Sequence, residues 1–184
     1  LVDPLPHLAL TVGGVGDLGS DGRALESDGP VLVRVHRRDL LGDIFDDLST
    51  GSGAGPCSTG QTLRASMRMI QEAGQGAIIY LRPHGVGDAL SQRLSRPFNA
   101  DTADTPAQSL PAATLEYGTG SQILRNLGVH SLNLITNSQT PYPQLEAFGL
   151  TIASRVGVVG EELNADDTRN AAVKTRIAAV KTRN

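Results

Sequence analysis

Gly76-Ala77-Ile78-Ile79-Tyr80-Leu81 is a six-residue run with no charged side chain. A strand with one wet face alternates apolar and polar residues, so a continuous apolar run marks a strand covered on both faces. Such cover calls for helices packed against a sheet. Pro30-Val31-Leu32-Val33-Arg34-Val35-His36 reads as a second strand. Between these two, Leu63, Met67 and Ile70 recur at helical spacing up to Gly74, a residue suited to a helix C-terminus. Downstream, Ile123, Leu124 and Leu127 form a helical stripe that stops at Gly128. Ser131–Thr136 then reads as a strand, residues 143–147 as a short helix and Leu150–Val156 as another strand. Alternation of strands and helices predicts one α/β domain with a mostly buried sheet over residues 1–184.

The remaining segments are less regular. Residues 1–29 form an N-terminal strand and loop region, and residues 50–60 form a Gly-rich loop by composition. Residues 97–114, rich in Pro, Asp and Thr, predict an irregular segment. The tail holds a near repeat, Ala171-Ala172-Val173-Lys174-Thr175-Arg176 and Ala178-Ala179-Val180-Lys181-Thr182-Arg183. Its seven-residue period predicts a solvated C-terminal helix over 166–184, whose Lys and Arg suit the negative end of the helix dipole.

Composition narrows the function classes. Aromatic residues are 3% of the 184 and Trp is absent, so the core must be built from Leu, Val, Ile and Ala. A net charge of −3 argues against a nucleic-acid partner, which needs a basic face. No apolar run reaches the length of a membrane span, and no signal peptide is visible. The single cysteine, Cys57, excludes an internal disulfide and suits the cytosol or an organelle stroma such as that of a plastid. The chain begins at Leu1 rather than Met, as expected of a processed product or a piece of a longer protein.

Val33-Arg34-Val35-His36 is followed by Gly42-Asp43 and Phe45; Tyr80-Leu81-Arg82 by Gly85 and Gly87; Tyr117-Gly118 by Gly120 and Gln122-Ile123-Leu124. With Leu127-Gly128-Val129 and Leu134-Ile135-Thr136-Asn137, these blocks resemble GTP cyclohydrolase II over nearly the whole chain. The resemblance implies that family's fold, a mixed sheet flanked by helices. It also implies a zinc-activated water that opens the purine ring of GTP, which needs three protein ligands and one open position. The family's ligands are cysteines, and the matching positions here are Asp39, Cys57 and Thr59, with Thr50–Pro56 as an insertion. A neutral Thr hydroxyl is a poor zinc ligand, so zinc is expected to be absent and no cofactor is expected. The family's Asp-x-Arg pair falls at Ala113 and Leu115, which can neither hold a proton nor carry a charge.

Other matched positions divide between retained and exchanged. Arg34, Arg82, Gly85, Thr136 and Asn137 remain as vestigial nucleotide-binding positions. Arg37 and Arg38 replace a small polar residue and an acid, while His84 and Val86 replace an acid and an arginine. A family tyrosine falls near Arg96, and the basic residue after Thr136-Asn137 falls at Thr140 or is missing. The combination implies a pseudoenzyme with a structural, docking or regulatory role, as a homo-oligomer or with a protein partner. The resemblance also implies a setting, the C-terminal half of a riboflavin-pathway fusion protein. Two rival readings stand beside it: a metal-independent enzyme on a purine nucleotide using Arg82, His84 and Cys57, and a sensor that binds nucleotide without turnover. In the second, Arg34, Arg37, Arg38, Arg82 and Arg96 form a cationic cleft; otherwise they pair with Asp39, Asp43, Asp46 and Asp47. Gly51-Ser52-Gly53-Ala54-Gly55 lacks the Gly-Lys-Ser/Thr of a phosphate loop.

Overall fold

A computed structural model describes residues 6–46, 57–82, 110–139, 141–158 and 176–180. Its strands are β1 (His7–Val12), β2 (Val31–Arg37), β3 (Gly76–Leu81), β4 (Ser131–Ile135), β5 (Thr151–Val156) and β6 (Arg176–Val180). Its helices are α1 (Leu40–Phe45), α2 (Thr59–Ala73), α3 (Leu110–Asn126) and α4 (Pro143–Ala147). The strands make one six-stranded sheet in the order β5-β4-β2-β3-β1-β6. β2 runs parallel to β3 and β4, and β4 parallel to β5, whereas β1 is antiparallel to both β3 and β6. The sheet is therefore mixed, with four adjacent parallel strands whose C-terminal ends point to one rim.

β3 lies inside the sheet, and five of its six residues are buried, as its apolar run requires. Side chains of alternate parity along the strands serve two cores. Val31, Val33, Ala77, Ile79, Leu132 and Leu134 pack with Ile123, Leu124 and Leu127 of α3. Leu32, Ile78 and Ile135 pack with Leu63, Met67 and Ile70 of α2. Gly120 lets α3 lie close to the sheet: a Cβ there would stand 3.5 Å from Leu81 and 3.6 Å from Val35. Gly74, at φ 72°, ends α2 in the left-handed region that glycine enters without strain.

Two expectations are corrected. Residues 110–114, read as irregular, open the long helix α3. Pro111 stands at its second residue, where a helix has no use for an N–H, and Ala112, Ala113 and Leu115 are good helix formers. The C-terminal helix is contradicted where the tail is described, since Arg176–Val180 is a strand that pairs with β1. The outer edge of β1 offers a ladder to β-branched residues such as Ile177 and Val180, and that outweighs the small dipole term. Residues 166–175 and 181–184 lie outside the described residues, as do Thr50–Pro56 and 97–109. β1 falls within the N-terminal strand and loop region expected over residues 1–29, whereas the six-residue α1, with Asp39 at its N-cap, was not located from sequence because it is too short to show a helical period.

Candidate functional site

The topology gathers the matched positions at one rim. Asp39 follows β2, Arg82 follows β3, and Thr136 and Asn137 follow β4, three strands that are neighbours in the sheet. Space beyond the carboxyl ends of parallel strands is where open α/β sheets bind ligands. Gly85, His84 and Arg96 lie outside the described residues. Ala113 and Leu115 lie in α3.

At the end of β2 the chemistry centres on Asp43. Its Oδ1 lies 2.9 Å from His36 Nε2, and its Oδ2 accepts from the Asp39 backbone N–H at 3.0 Å and the Tyr80 hydroxyl at 2.7 Å. The His36 and Tyr80 rings stack with centroids 5.5 Å apart. Both members of the His36–Asp43 pair are almost fully buried. Burial alone would push the Asp43 carboxyl up, but the hydrogen bond and attraction of His36, the Asp39 N–H and the Tyr80 hydroxyl together bring it down to about 2. His36 Nδ1 is buried and without a hydrogen-bond partner.

The three zinc-matched positions meet beside this network in part. A Cβ on Gly42 would lie 2.1 Å from Thr59 Oγ1 and 2.9 Å from Asp39 Oδ2, so both oxygens crowd the space over that glycine. Thr59 Oγ1 is buried and has no partner. Cys57 is a free, half-buried thiol two residues before Thr59. The donors are thus a carboxylate, a thiol and a neutral hydroxyl. Among the described residues no three of His, Cys, Asp and Glu converge as metal ligands. Such a set fits zinc poorly, because the metal selects thiolate, imidazole and carboxylate.

The β4–β5 side of the rim is built differently. Asn137 is a two-way clip: its Nδ2 donates to the Val158 carbonyl at 2.9 Å and its Oδ1 accepts the Val158 N–H at 2.6 Å. The Thr136 hydroxyl pairs with the Tyr142 hydroxyl at 3.1 Å and accepts the Ser138 N–H at 3.1 Å. Tyr142 is held between Tyr117, 5.0 Å away, and the Arg155 guanidinium, 5.5 Å from its ring centre. Arg34 donates through a terminal nitrogen to the Ile135 carbonyl at 3.0 Å, while its Nε is buried without a partner. Burial lowers the Arg34 pKa, partly opposed by Tyr117 and Tyr142. Arg82 uses its backbone N–H on His7 Nδ1 at 3.1 Å.

The sequence model of GTP cyclohydrolase II matches residues 2–157. The chain belongs to the GTP cyclohydrolase II family. A probable bifunctional riboflavin biosynthesis protein RIBA 2, chloroplastic, of Oryza sativa subsp. japonica is 40% identical over 166 residues, covering 86% of this chain and 27% of that protein. The monofunctional riboflavin biosynthesis protein RIBA 2, chloroplastic, of Arabidopsis thaliana is 36% identical over 86% of this chain and 29% of its own length. A riboflavin biosynthesis protein RibBA of Nocardia farcinica is 37% identical over 85% of this chain and 35% of its own length. The chain therefore spans about a third or less of the relatives it matches.

Within this family framework, sequence reasoning named Asp43 as a scaffold match and as one candidate partner of the cleft arginines, and gave Tyr142 no role. The signal for the first was present in the run His36 to Asp43 with Tyr80 on the paired strand, where β2 and β3 align His36 with Tyr80. Tyr142 had no such signal, since its contacts to Tyr117 and Arg155 cross three elements. Two of the four acids expected to pair with the cleft arginines have other partners: Asp43 engages His36 and Tyr80, and Asp46 engages Ser58 and Arg64.

Proposed function

We propose that this chain is a catalytically silent GTP cyclohydrolase II domain with a structural, docking or regulatory role. The observation that carries the reading is the donor set. Asp39, Cys57 and Thr59 stand where the family resemblance implies three cysteines, and Ala113 and Leu115 where it implies a carboxylate and an arginine. Without a metal-activated water and a proton-transfer pair, the purine ring has no nucleophile delivered to it. Supporting this, the side chains retained at Thr136 and Asn137 make hydrogen bonds inside the protein. In this reading those residues are kept for the fold.

The setting is a riboflavin-pathway protein, either as a domain of a longer polypeptide or as a companion to active copies. Self-association or docking onto such a protein is the partner chemistry proposed, and a plastid is the compartment proposed by analogy with the chloroplastic plant relatives. No described helix is long and apolar enough to cross a membrane. Zinc content and formate release from GTP test the reading together.

A further inference from the structure

The α1–α2 junction carries a feature that none of the family matches accounts for. Asp46, the residue after α1, is the one non-glycine at positive φ among the described residues, at 54°. An L-residue in that region needs local hydrogen bonds to hold it, and glycine adopts it freely. Asp46 has such bonds. Its Oδ1 accepts from the Ser58 hydroxyl at 2.6 Å and from the Arg64 guanidinium.

Ser58 is fully buried and caps α2 reciprocally with Gln61: Gln61 N donates to Ser58 Oγ at 3.0 Å, and Ser58 N to Gln61 Oε1 at 2.9 Å. The Ser58 carbonyl also accepts from the Thr62 hydroxyl at 3.1 Å. One side chain therefore joins the start of α2 to the end of α1, bridging twelve residues of sequence. Behind it the helix backbones touch. A Cβ on Gly60 would stand 2.6 Å from the Gly42 carbonyl oxygen and 2.7 Å from that of Asp43.

We infer that Asp46, Ser58 and Arg64 form a hydrogen-bonded clamp that closes the α1–α2 junction without a metal ion. The clamp stands one residue from the Cys57 and Thr59 positions and ties together the same two helices that zinc ligands at Asp39, Cys57 and Thr59 would tie. The inference rests on the reading that no zinc binds there. A bond from a buried hydroxyl to a carboxylate is charge-assisted, which is why it can hold Asp46 in a conformation that glycine would otherwise fill.

The sign of one substitution decides it. In the full chain, Asp46→Gly relieves the left-handed backbone, and with no clamp it leaves the melting temperature unchanged or raises it. The clamp predicts instead a fall of about 4 °C, since a bond to a charged group is lost. Asp46→Asn tolerates the same φ and keeps a side-chain acceptor, so it should retain more than half of the difference. Ser58→Ala also removes the helix cap, so it is combined with Asp46→Gly in a double-mutant cycle. The pair should destabilise by less than the sum of its members. An unchanged or raised melting temperature for Asp46→Gly, or strict additivity in the cycle, overturns the clamp whether or not the protein turns over GTP. A fall in wild-type melting temperature on adding EDTA overturns its metal independence, while GTP turnover by a zinc-free sample would contradict the silent-enzyme reading alone.

Discussion

The two halves of the rim have parted from their family in opposite ways. At the β2–α1–α2 corner the proposed reading has the side chains for chemistry exchanged, with Asp39, Cys57 and Thr59 where the family resemblance implies cysteines. At the β4–β5 end the residues remain, yet Asn137 spends both ends of its amide on Val158 and Thr136 is bonded to Tyr142 and Ser138. The contrast teaches that a retained residue need not be a retained function. Asn137 would be kept by stability alone, because removing it strands a backbone N–H and a carbonyl that now pair with it. Loose ends remain on both sides: His36 Nδ1 and Thr59 Oγ1 at the corner, and Arg34 Nε beside β4, are buried polar atoms without partners.

The sharpest way to break the comparison is at Asp43, the hub of the corner. Asp43→Ala leaves His36, the Asp39 N–H and the Tyr80 hydroxyl without their shared acceptor, and should destabilise by about 3 kcal/mol in urea unfolding. The same carboxyl gives a pH signature. Its folded value of about 2 lies below the unfolded 3.8, so its contribution is present above about pH 3.8 and is lost as pH falls through about 2. The Asp43→Asn variant should therefore show a flatter loss of stability between those pH values than the wild type. An equally steep acid limb in the variant would move the titration elsewhere.

Next in size is Asn137→Ala at the other side, expected to lose about 2 kcal/mol because two hydrogen bonds to Val158 go together. Unchanged unfolding free energy in this variant would remove the structural explanation for its retention. The smallest effect is expected at Cys57, a half-buried thiol. Cys57→Ser should stay within about 0.5 kcal/mol of wild type and leave metal content unaltered. A larger loss, reversed by zinc, would restore the corner as a metal site.

Much of the fold was legible because its signals are local. The apolar run Gly76–Leu81 and the α2 stripe ending at Gly74 are strand and helix as read. The tail misled because a seven-residue repeat suits a helix in isolation, whereas Arg176–Val180 answers to the open edge of β1, far away in sequence. The site was legible as residue types matched to a family. Its bonds were not: the pairing of Asn137 with Val158 and of Asp46 with Ser58 joins residues 21 and 12 apart, and no periodicity encodes such contacts.

The account rests most directly on whether the full chain, supplied with zinc and GTP, both holds the metal and makes product. Elemental analysis of the purified protein with a formate-release assay on the same sample answers this in one experiment. The account predicts zinc far below one ion per chain and no formate above the protein-free rate. One zinc per chain with ring-opened product accumulating from GTP would contradict it.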